Sequence, residues 1–437
     1  MSTGNRDYGE DKQMPEIPTD PRIESSVAVL REGYTFIAGR CAALHSDVFQ
    51  ARLLMQNTIC LHGEEAARLF YDESRFKREK AAPNLMLKTL LGKGGVQGLD
   101  DAAHRQRKRL FLSMLDEAGN EAVLRTAEPI WRAAIGLWGE ADQVVLLKEV
   151  QGILTRAVFQ WAGVPLAEDE VETRRSQLAA LIDGAGGIGP RHLHARKARK
   201  QAEAWGSELI RQVRDGRLVV DSGSPLAVIA QHPELDGSLL DDRVAAVELL
   251  NLLRPTVAVS RFIVFAAVEL HRHPQWRERL AADDVWLEPF AQEVRRIHAF
   301  FPFMAARVRK DFEWRGYRFP EGTRVLLDLY GTNRDPRSWN EPETFQPERF
   351  LEWPGNAFSF LTQGGGEPTG HRCPGERLSI ELIKQALRML TREMSYEVPE
   401  QDLDIDLSRL PALPESRMLI RAVRPHSALV EARASPQ

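Results

Sequence analysis

One long apolar stretch constrains the fold of this sequence more than any other feature: residues 241–274, DDRVAAVELLNLLRPTVAVSRFIVFAAVELHRHP. Apolar side chains recur in it at intervals of three and four residues and cover most faces, which predicts a helix buried at the centre of the molecule. Pro255 lies inside this helix. A proline there removes an intrahelical hydrogen bond at a cost of about 3 kcal/mol, so we expect a kink with a local reason for it.

The rest of the chain predicts a mainly α fold with a small β region. Helical periodicity dominates residues 120–300, whereas residues 307–331 offer two alternating runs around Pro320-Glu321-Gly322, which predicts a hairpin at that turn. A loop rich in proline, glycine and aromatic residues occupies 335–376, and an amphipathic helix starts a few residues after Cys373. We expect a flexible leader at 1–16, a single catalytic domain at 17–425 and a tail at 426–437.

Composition excludes several classes of protein. Hydrophobic residues at 43% and charged residues at 27% indicate a folded globular chain, and a net charge of -4 argues against nucleic acid as a partner. Three cysteines cannot form a disulfide framework for this length, which favours a reducing compartment. The polar N-terminus lacks the zones of a signal peptide, and no stretch reaches about 18 uninterrupted apolar residues. We therefore expect a cytoplasmic protein without a membrane span.

The loop around Cys373, QGGGEPTGHRCPGE, has the parts that a haem-thiolate site needs. A cysteine thiolate can ligate haem iron and favours cleavage of a bound O–O bond. It needs nearby N–H donors and a helix N-terminus, and the haem propionates need cations. His371 and Arg372 precede the cysteine, Gly375 permits close backbone approach, and a helix starts at about Glu376. A lone cysteine before a helix is more often structural, so this loop does not decide the question by itself.

Two upstream motifs strengthen the haem hypothesis. Glu293 and Arg296 lie three apart in PFAQEVRRIHAF, on one helix face, and Arg349 in FQPERF is placed to complete an ionic cluster with them. In this order before a glycine-rich cysteine loop, the motifs resemble those of the cytochrome P-450 superfamily over residues 17–424. The resemblance implies the cytochrome P-450 fold, with haem b on Cys373, buried between the long central helix and the cysteine loop.

The central helix departs from that superfamily at the position where most members carry an acid or amide followed by threonine. Here Arg254 and Pro255 occupy the place, and no acid stands immediately before Thr256. A buried arginine is costly unless it meets an anion, and its fork suits a carboxylate. The Arg-Pro pair and the lengthened cysteine loop resemble the fatty-acid peroxygenase branch of the family. A salt bridge from Arg254 to an Asp or Glu of the chain remains the alternative.

That resemblance implies a hydrogen-peroxide-dependent hydroxylation of fatty acids at the α and/or β carbon. The substrate carboxylate on Arg254 would act as general acid–base, with Pro255 and Gln97 in the catalytic set and no redox partner protein. Gln97 falls at a distal position that is histidine in the best-known alkene-forming relative, so hydroxylation is favoured and decarboxylation to a terminal alkene is minor. Leu91, where relatives have phenylalanine, and Phe301 are expected at the substrate. Loop packing and aromatic core are the alternatives for these residues.

The remaining expectations concern the haem propionates. By resemblance, Arg78, the His104 and Lys108 pair four apart on a helix, and His371 would hold them. A solvated basic face explains Arg105, Arg107 and Arg109 equally well. Two other functions stay open: a reductase-dependent monooxygenase acting on another carboxylic acid, and a haem-binding sensor or carrier without catalysis.

Overall fold

The computed structural model describes residues 15–426. The expected leader at 1–16 and tail at 426–437 lie almost entirely outside the described residues. Within them the chain is mainly helical with small sheets, as predicted. The α-helices are α1 (Ser26–Glu32), α2 (Phe36–Leu44), α3 (Glu64–Phe70), α4 (Asn84–Met86), α5 (Asp101–Met114), α6 (Glu117–Trp138), α7 (Leu146–Ala162), α8 (Val171–Asp183), α9 (Pro190–Arg214), α10 (Pro225–Ala230), α11 (Asp242–Ala258), α12 (Ser260–Arg272), α13 (Gln275–Ala282), α14 (Leu287–Ile297) and α15 (Glu376–Arg388).

In the described part of the chain, the strands form three small sheets. They are β1 (Val48–Leu53), β2 (Gln56–Leu61), β3 (Phe76–Lys77), β4 (Gln143–Val145), β5 (Phe303–Val308), β6 (Phe312–Trp314), β7 (Tyr317–Phe319), β8 (Arg324–Asp328), β9 (Met394–Glu397) and β10 (Leu419–Pro425). The largest sheet has the order β1-β2-β8-β5-β3, and all its neighbours are antiparallel except β2 and β8. The others have the orders β4-β10-β9 and β6-β7.

The hairpin predicted at 320–322 was placed at the wrong turn. β6 and β7 pair antiparallel, with Trp314 opposite Tyr317, so the tight turn is Arg315-Gly316. Pro320-Glu321-Gly322 instead connects β7 to β8, which pairs with β5 in another sheet. The alternating runs were real, but they belong to two different sheets.

The central helix is buried and interrupted, as predicted. α11 ends at Ala258 and α12 begins at Ser260, so the break at Val259 follows one turn after Pro255, whose ring nitrogen has no hydrogen to donate. α11 packs against α7, α8 and α9. Among the described residues, Asp242–Arg272 is the one helical stretch long and apolar enough to cross a membrane, and 94% of its apolar window is buried. Such burial is typical of the core helix of a soluble protein.

Candidate active site

Cys373 lies in the loop that leads into α15. Its backbone N–H donates to the Gln363 carbonyl at 3.0 Å, and the Gln363 side-chain amide lies 3.7 Å from Sγ. Gly364 and Gly366 have φ values of 94° and 76°, conformations that glycine adopts without strain. The loop therefore folds back on itself and holds the sulfur next to the first turn of α15, as the sequence predicted.

Glu376 connects this loop to α14 through ion pairs with Arg295 of α14 and Arg372 of the loop. Arg295 is fully buried and donates to Glu376 at 2.5 Å and to the Thr362 hydroxyl at 2.6 Å. Arg372 donates to the other oxygen of Glu376 at 2.5 Å. Desolvation raises the pKa of the Cys373 thiol, while the Gly375 N–H, Lys108 and Arg295 act in the opposite direction. The sequence analysis missed Arg295, because the E-x-x-R spacing directs attention to its neighbour Arg296.

The predicted ionic cluster of Glu293, Arg296 and Arg349 forms. The Glu293 carboxylate accepts two hydrogen bonds from Arg296, both at 2.7 Å, and one from Arg349 at 3.3 Å. The backbone N–H of Gln346 adds a fourth at 2.8 Å. The side chains of Glu293 and Arg296 have no exposed surface. The cluster therefore ties α14 to the segment that precedes the cysteine loop.

Replacing Glu293 by glutamine should destabilise the protein by about 3–5 kcal/mol, because two arginines would lose the charge that compensates their burial. The urea midpoint of unfolding measures the change. Glu348→Gln is the matched control: Glu348 pairs with Arg279 at 2.7 Å, but both side chains are more than 40% exposed. We expect that variant to stay within about 1 kcal/mol of the parent. Equal losses in the two variants would contradict a structural role for the buried cluster.

Four basic or imidazole side chains gather beside the cysteine loop. The His104 and His371 rings stack with centroids 3.9 Å apart, and Lys108 donates to the Arg372 carbonyl. Burial lowers the pKa of Lys108 to about 8 and that of His104 to about 3. Arg78 is buried, and its Nε has no hydrogen-bond partner in the described part of the chain.

This group fits the carboxylates of a haem. Asp100 approaches His371 at 3.7 Å, but none of the ion pairs among residues 15–426 involves Arg78 or Lys108. An anion bound beside them would compensate the burial of these two cations. Two propionates would satisfy them, with the iron at Cys373.

Arg107 was wrongly grouped with a solvated basic face. It is 2% exposed and donates to Glu248 at 2.6 Å, and it also pairs with Glu234 at 3.3 Å. Arg105 and Arg109 are exposed, as that interpretation required. Glu248 was likewise not recognised as a site residue. Helical spacing on α5 gives no signal for a partner 141 residues away.

Arg254 is buried in the middle of α11 and has no acidic partner among the described residues. It is 5% exposed and donates to the Leu90 carbonyl. Burial, followed by the nearby charge of Arg199, lowers its pKa to about 9. The Thr256 hydroxyl turns back to the Leu252 carbonyl at 3.0 Å. Among residues 15–426, no Asp or Glu forms the salt bridge with Arg254 that the alternative requires, and no acid–alcohol pair stands at this point of the helix.

Of the other residues predicted at the substrate, Gln97 and Leu91 lie near Arg254. Gln97, on a short 3-10 helix at Val96–Gly98, accepts a hydrogen bond from Asn251 at 3.1 Å, one turn before Arg254. Leu91 ends the π-helical turn Leu87–Leu91, next to the carbonyl that Arg254 contacts. Pro255 and Phe301 are half-buried, and Phe301 packs edge-on against Phe300 at 4.9 Å. The structure thus brings Gln97 and Leu91 to the Arg254 region, while the substrate roles of all four stay predictions.

Arg199 is a further residue that sequence reasoning missed. It is 3% exposed on α9 and donates to the same Leu90 carbonyl as Arg254, at 3.0 Å. Its Nε pairs with Glu203 at 2.6 Å, one turn along the helix. The two arginines therefore converge on one backbone oxygen from different helices. Nothing in the sequence relates their positions.

Comparisons with known proteins agree with this geometry. A cytochrome P-450 family model matches residues 270–420, which include the ionic cluster and the cysteine loop. Among curated plant relatives, cytochrome P-450 71A8 of Mentha piperita is 29% identical over 201 residues, 41% of this chain and 39% of its own length. The matched part of this chain spans between 39% and 49% of the length of the first three curated relatives.

Solved structures extend the match over nearly the whole chain. Cytochrome P-450EX alpha (CYP152N1), solved with myristic acid, is 41% identical with a TM-score of 0.90, covering 94% of this chain and 100% of its own. Cytochrome P-450SP alpha (CYP152B1), solved with (R)-ibuprophen, is 44% identical with a TM-score of 0.90, covering 92% and 99%. An OleT variant with arachidonic acid is 31% identical with a TM-score of 0.91, covering 94% and 99%.

A sequence identity of 41% over 94% of this chain indicates membership of the same protein family, and not only the same fold. The chain therefore belongs to the cytochrome P-450 superfamily, with solved relatives in its CYP152 group, and is an oxidoreductase with cysteine-ligated haem b.

Proposed function

We propose that the protein is a fatty-acid peroxygenase, which hydroxylates its substrate at the α and/or β carbon with hydrogen peroxide as oxidant. The observation that carries the proposal is Arg254, a buried cation on the central helix with no acidic partner among residues 15–426. It stands where the superfamily pattern has an acid or amide followed by threonine. Because an unpaired buried charge costs several kcal/mol, a site of this kind selects an anionic ligand.

Cys373 would ligate the iron, and Arg78, His104, Lys108 and His371 would face the propionates. The bound haem supplies the oxidising chemistry, since thiolate ligation favours cleavage of an O–O bond. The protein's part is to hold the sulfur in place through Gln363 and the first turn of α15. The ion pairs of Glu376 with Arg295 and Arg372 keep that loop on α14.

On the distal side, Arg254 would bind the substrate carboxylate with its planar fork. A carboxylate oxygen fixed there can accept a proton from hydrogen peroxide and return it to the leaving oxygen, which is the work of a general acid–base. Anchoring the acid at this end also brings Cα and Cβ nearest to the reaction centre, so these carbons are the expected sites of hydroxylation. The substrate would thus supply a group that the chain lacks.

The solved relatives support the substrate class. One carries myristic acid and another arachidonic acid, and both cover more than 90% of this chain. The alternative is a reductase-dependent monooxygenase acting on another carboxylic acid. The curated plant cytochromes P-450 align with only part of the chain and do not decide between the two. We include in the proposal that no redox partner protein is required and that the protein acts in the cytoplasm.

A reductase-free assay tests this function. Purified holoprotein is mixed with hydrogen peroxide and a series of saturated fatty acids, and products are identified by mass spectrometry. We expect α- and β-hydroxy acids, with terminal alkene as a minor product. Turnover that appears only when a reductase and NADPH are added would identify the monooxygenase instead. Oxidation under neither regime would leave a haem-binding carrier.

A further inference from the structure

A chain of buried polar side chains runs from the protein surface to Gln97, and the proposed reaction leaves most of it unused. Glu234, with a half-exposed side chain, pairs with Arg107 at 3.3 Å. Arg107 donates to Glu248 at 2.6 Å, and Glu248 accepts from Asn251 at 2.8 Å. Asn251 also donates to Gln97 at 3.1 Å. Glu248 has no exposed surface, and Asn251 is 6% exposed.

The charge state of Glu248 determines how Asn251 is turned. Oε1 of Glu248 accepts from Arg107 and from the Val96 N–H at 2.9 Å, and Oε2 accepts from Asn251. Burial raises the pKa of Glu248, and its three hydrogen-bond donors act in the opposite direction. With three donors and no acceptor among its described hydrogen-bond partners, the carboxyl group is in an environment that favours an ionised carboxylate. Because a carboxylate only accepts hydrogen bonds, Asn251 must present its NH2 group to it. Its Oδ1 is buried and has no hydrogen-bond partner among residues 15–426, a cost that the contact with Glu248 outweighs.

Asn251 in turn determines how Gln97 is turned. The same Nδ2 atom donates its second hydrogen to Oε1 of Gln97, so the Gln97 NH2 group points away from Asn251. No other described side chain or carbonyl hydrogen-bonds that NH2 group. The turn that carries Gln97 is held against α11: a Cβ on Gly95 would lie 2.8 Å from Asn251 Nδ2, and Val96 is bonded to Glu248.

We infer that Glu248 is a positioning residue that sets the polarity of the distal pocket: through Asn251 it turns the donor end of the Gln97 amide toward the substrate. The inference rests on the proposed function, which assigns Gln97 to the pocket. A donor there suits the two ligands proposed, a fatty-acid carboxylate and hydrogen peroxide, because both offer acceptor oxygens. The pocket would then hold Arg254 and Gln97 as two donors aimed at one anion.

Glu248→Gln should reverse the orientation of both amide groups, Asn251 and Gln97, because glutamine has almost the same shape as glutamate. Oε1 faces two donors and must remain an oxygen, so the new NH2 group takes the place of Oε2 and faces Asn251. Asn251 then presents its oxygen to residue 248 and to Gln97. Gln97 then donates a hydrogen bond from its NH2 group to the Asn251 oxygen, and its own oxygen faces the pocket. A substitution at residue 248, two hydrogen bonds away from Gln97, would therefore make Gln97 present an acceptor to the pocket in place of a donor.

The carbon–oxygen stretching frequency of the ferrous carbonyl complex, measured without fatty acid or peroxide, reports this polarity. A donor near the carbonyl oxygen lowers the frequency and an acceptor raises it. We expect the order wild type, then Gln97→Leu, then Glu248→Gln, from lowest to highest. In the Gln97→Leu background, Glu248→Gln should cause no further shift, because the effect passes through the amide. Glu234→Gln is the matched control, since it neutralises the other carboxylate on Arg107, and should not shift the band.

Asn251→Leu provides a second test if Glu248→Gln does not fold, since it leaves the contacts of Glu248 with Arg107 and Val96 in place. Gln97 would lose its orienting partner and adopt both orientations, so we expect two carbonyl bands. A single band at the wild-type frequency, or a Glu248→Gln shift that persists in the Gln97→Leu background, would overturn the inference.

Steady-state kinetics supply a readout that tests the proposed function separately. With fatty acid and peroxide, Glu248→Gln should raise the KM for the acid about tenfold, since a charge-assisted hydrogen bond is replaced by an acceptor facing the carboxylate. The matched fatty alcohol should bind equally well to both proteins. If no variant turned over with peroxide, the proposed function would fail, whereas the order of carbonyl frequencies would still decide the role of Glu248.

Discussion

Replacing Arg254 by alanine should lower peroxide-driven turnover of fatty acids by about a thousandfold while leaving haem content nearly unchanged. Removal of one partner from a buried ion pair costs about 3–5 kcal/mol, and each 1.4 kcal/mol is a factor of ten in rate or affinity. Arg254 is not among the residues expected to hold the haem, which are Cys373, Arg78, His104, Lys108 and His371, so cofactor loading should not change. Haem content follows from the absorbance of the purified protein, and turnover from product formation.

Two further measurements connect the loss to the carboxylate. Arg254→Lys keeps the charge but loses the planar fork, so we expect it to retain more activity than alanine and less than arginine. Saturating fatty acid should raise the thermal midpoint of the wild type, because a ligand that binds only the folded state stabilises it. The same acid should leave the Arg254→Leu midpoint unchanged. Fatty-acid turnover within a few-fold of wild type in Arg254→Ala would refute substrate-assisted catalysis.

Replacing Cys373 by alanine should abolish the ferrous carbonyl band at about 450 nm that thiolate ligation gives to haem. Turnover with peroxide should disappear with it, since the push of electron density from sulfur would be lost. The measurement is a difference spectrum of the reduced protein with carbon monoxide.

Cys41→Ala is the matched control for this substitution. Cys41 is a buried thiol on α2, and burial raises its pKa, so it is a poor thiolate ligand. The band should survive in Cys41→Ala at full intensity. Survival of the band in Cys373→Ala would refute the assignment of the iron ligand.

Motif order was enough to predict the Glu293–Arg296–Arg349 cluster and the position of Cys373 before a helix. Each of these residues lies in a short local pattern, and the family resemblance supplied the distance between patterns. The kink of the central helix was predictable for a similar reason, because a proline acts on its own helix. Local patterns together with the family resemblance were therefore enough to predict these features.

Partners far apart in the chain were not predictable. Arg107 reads as one of several basic residues on α5, and only the fold shows that its side chain is buried against Glu248, 141 residues later. Arg295 and Arg199 are similar cases, since Arg295 donates to Glu376, 81 residues later, and Arg199 to the Leu90 carbonyl, 109 residues earlier. The Arg315-Gly316 turn was missed because both residues have positive φ, 53° and 79°, and arginine at the first position hides a pattern usually marked by asparagine.

The central claim is that the substrate's own carboxylate, bound at Arg254, supplies the acid–base group that the central helix lacks. The most direct test compares a fatty acid with its methyl ester in the reductase-free peroxide assay, at concentrations where both are soluble. The two molecules share the hydrocarbon chain, but the ester can neither pair with Arg254 nor exchange a proton. We predict rapid hydroxylation of the acid and no detectable hydroxylation of the ester. Comparable turnover of the two substrates would contradict the account.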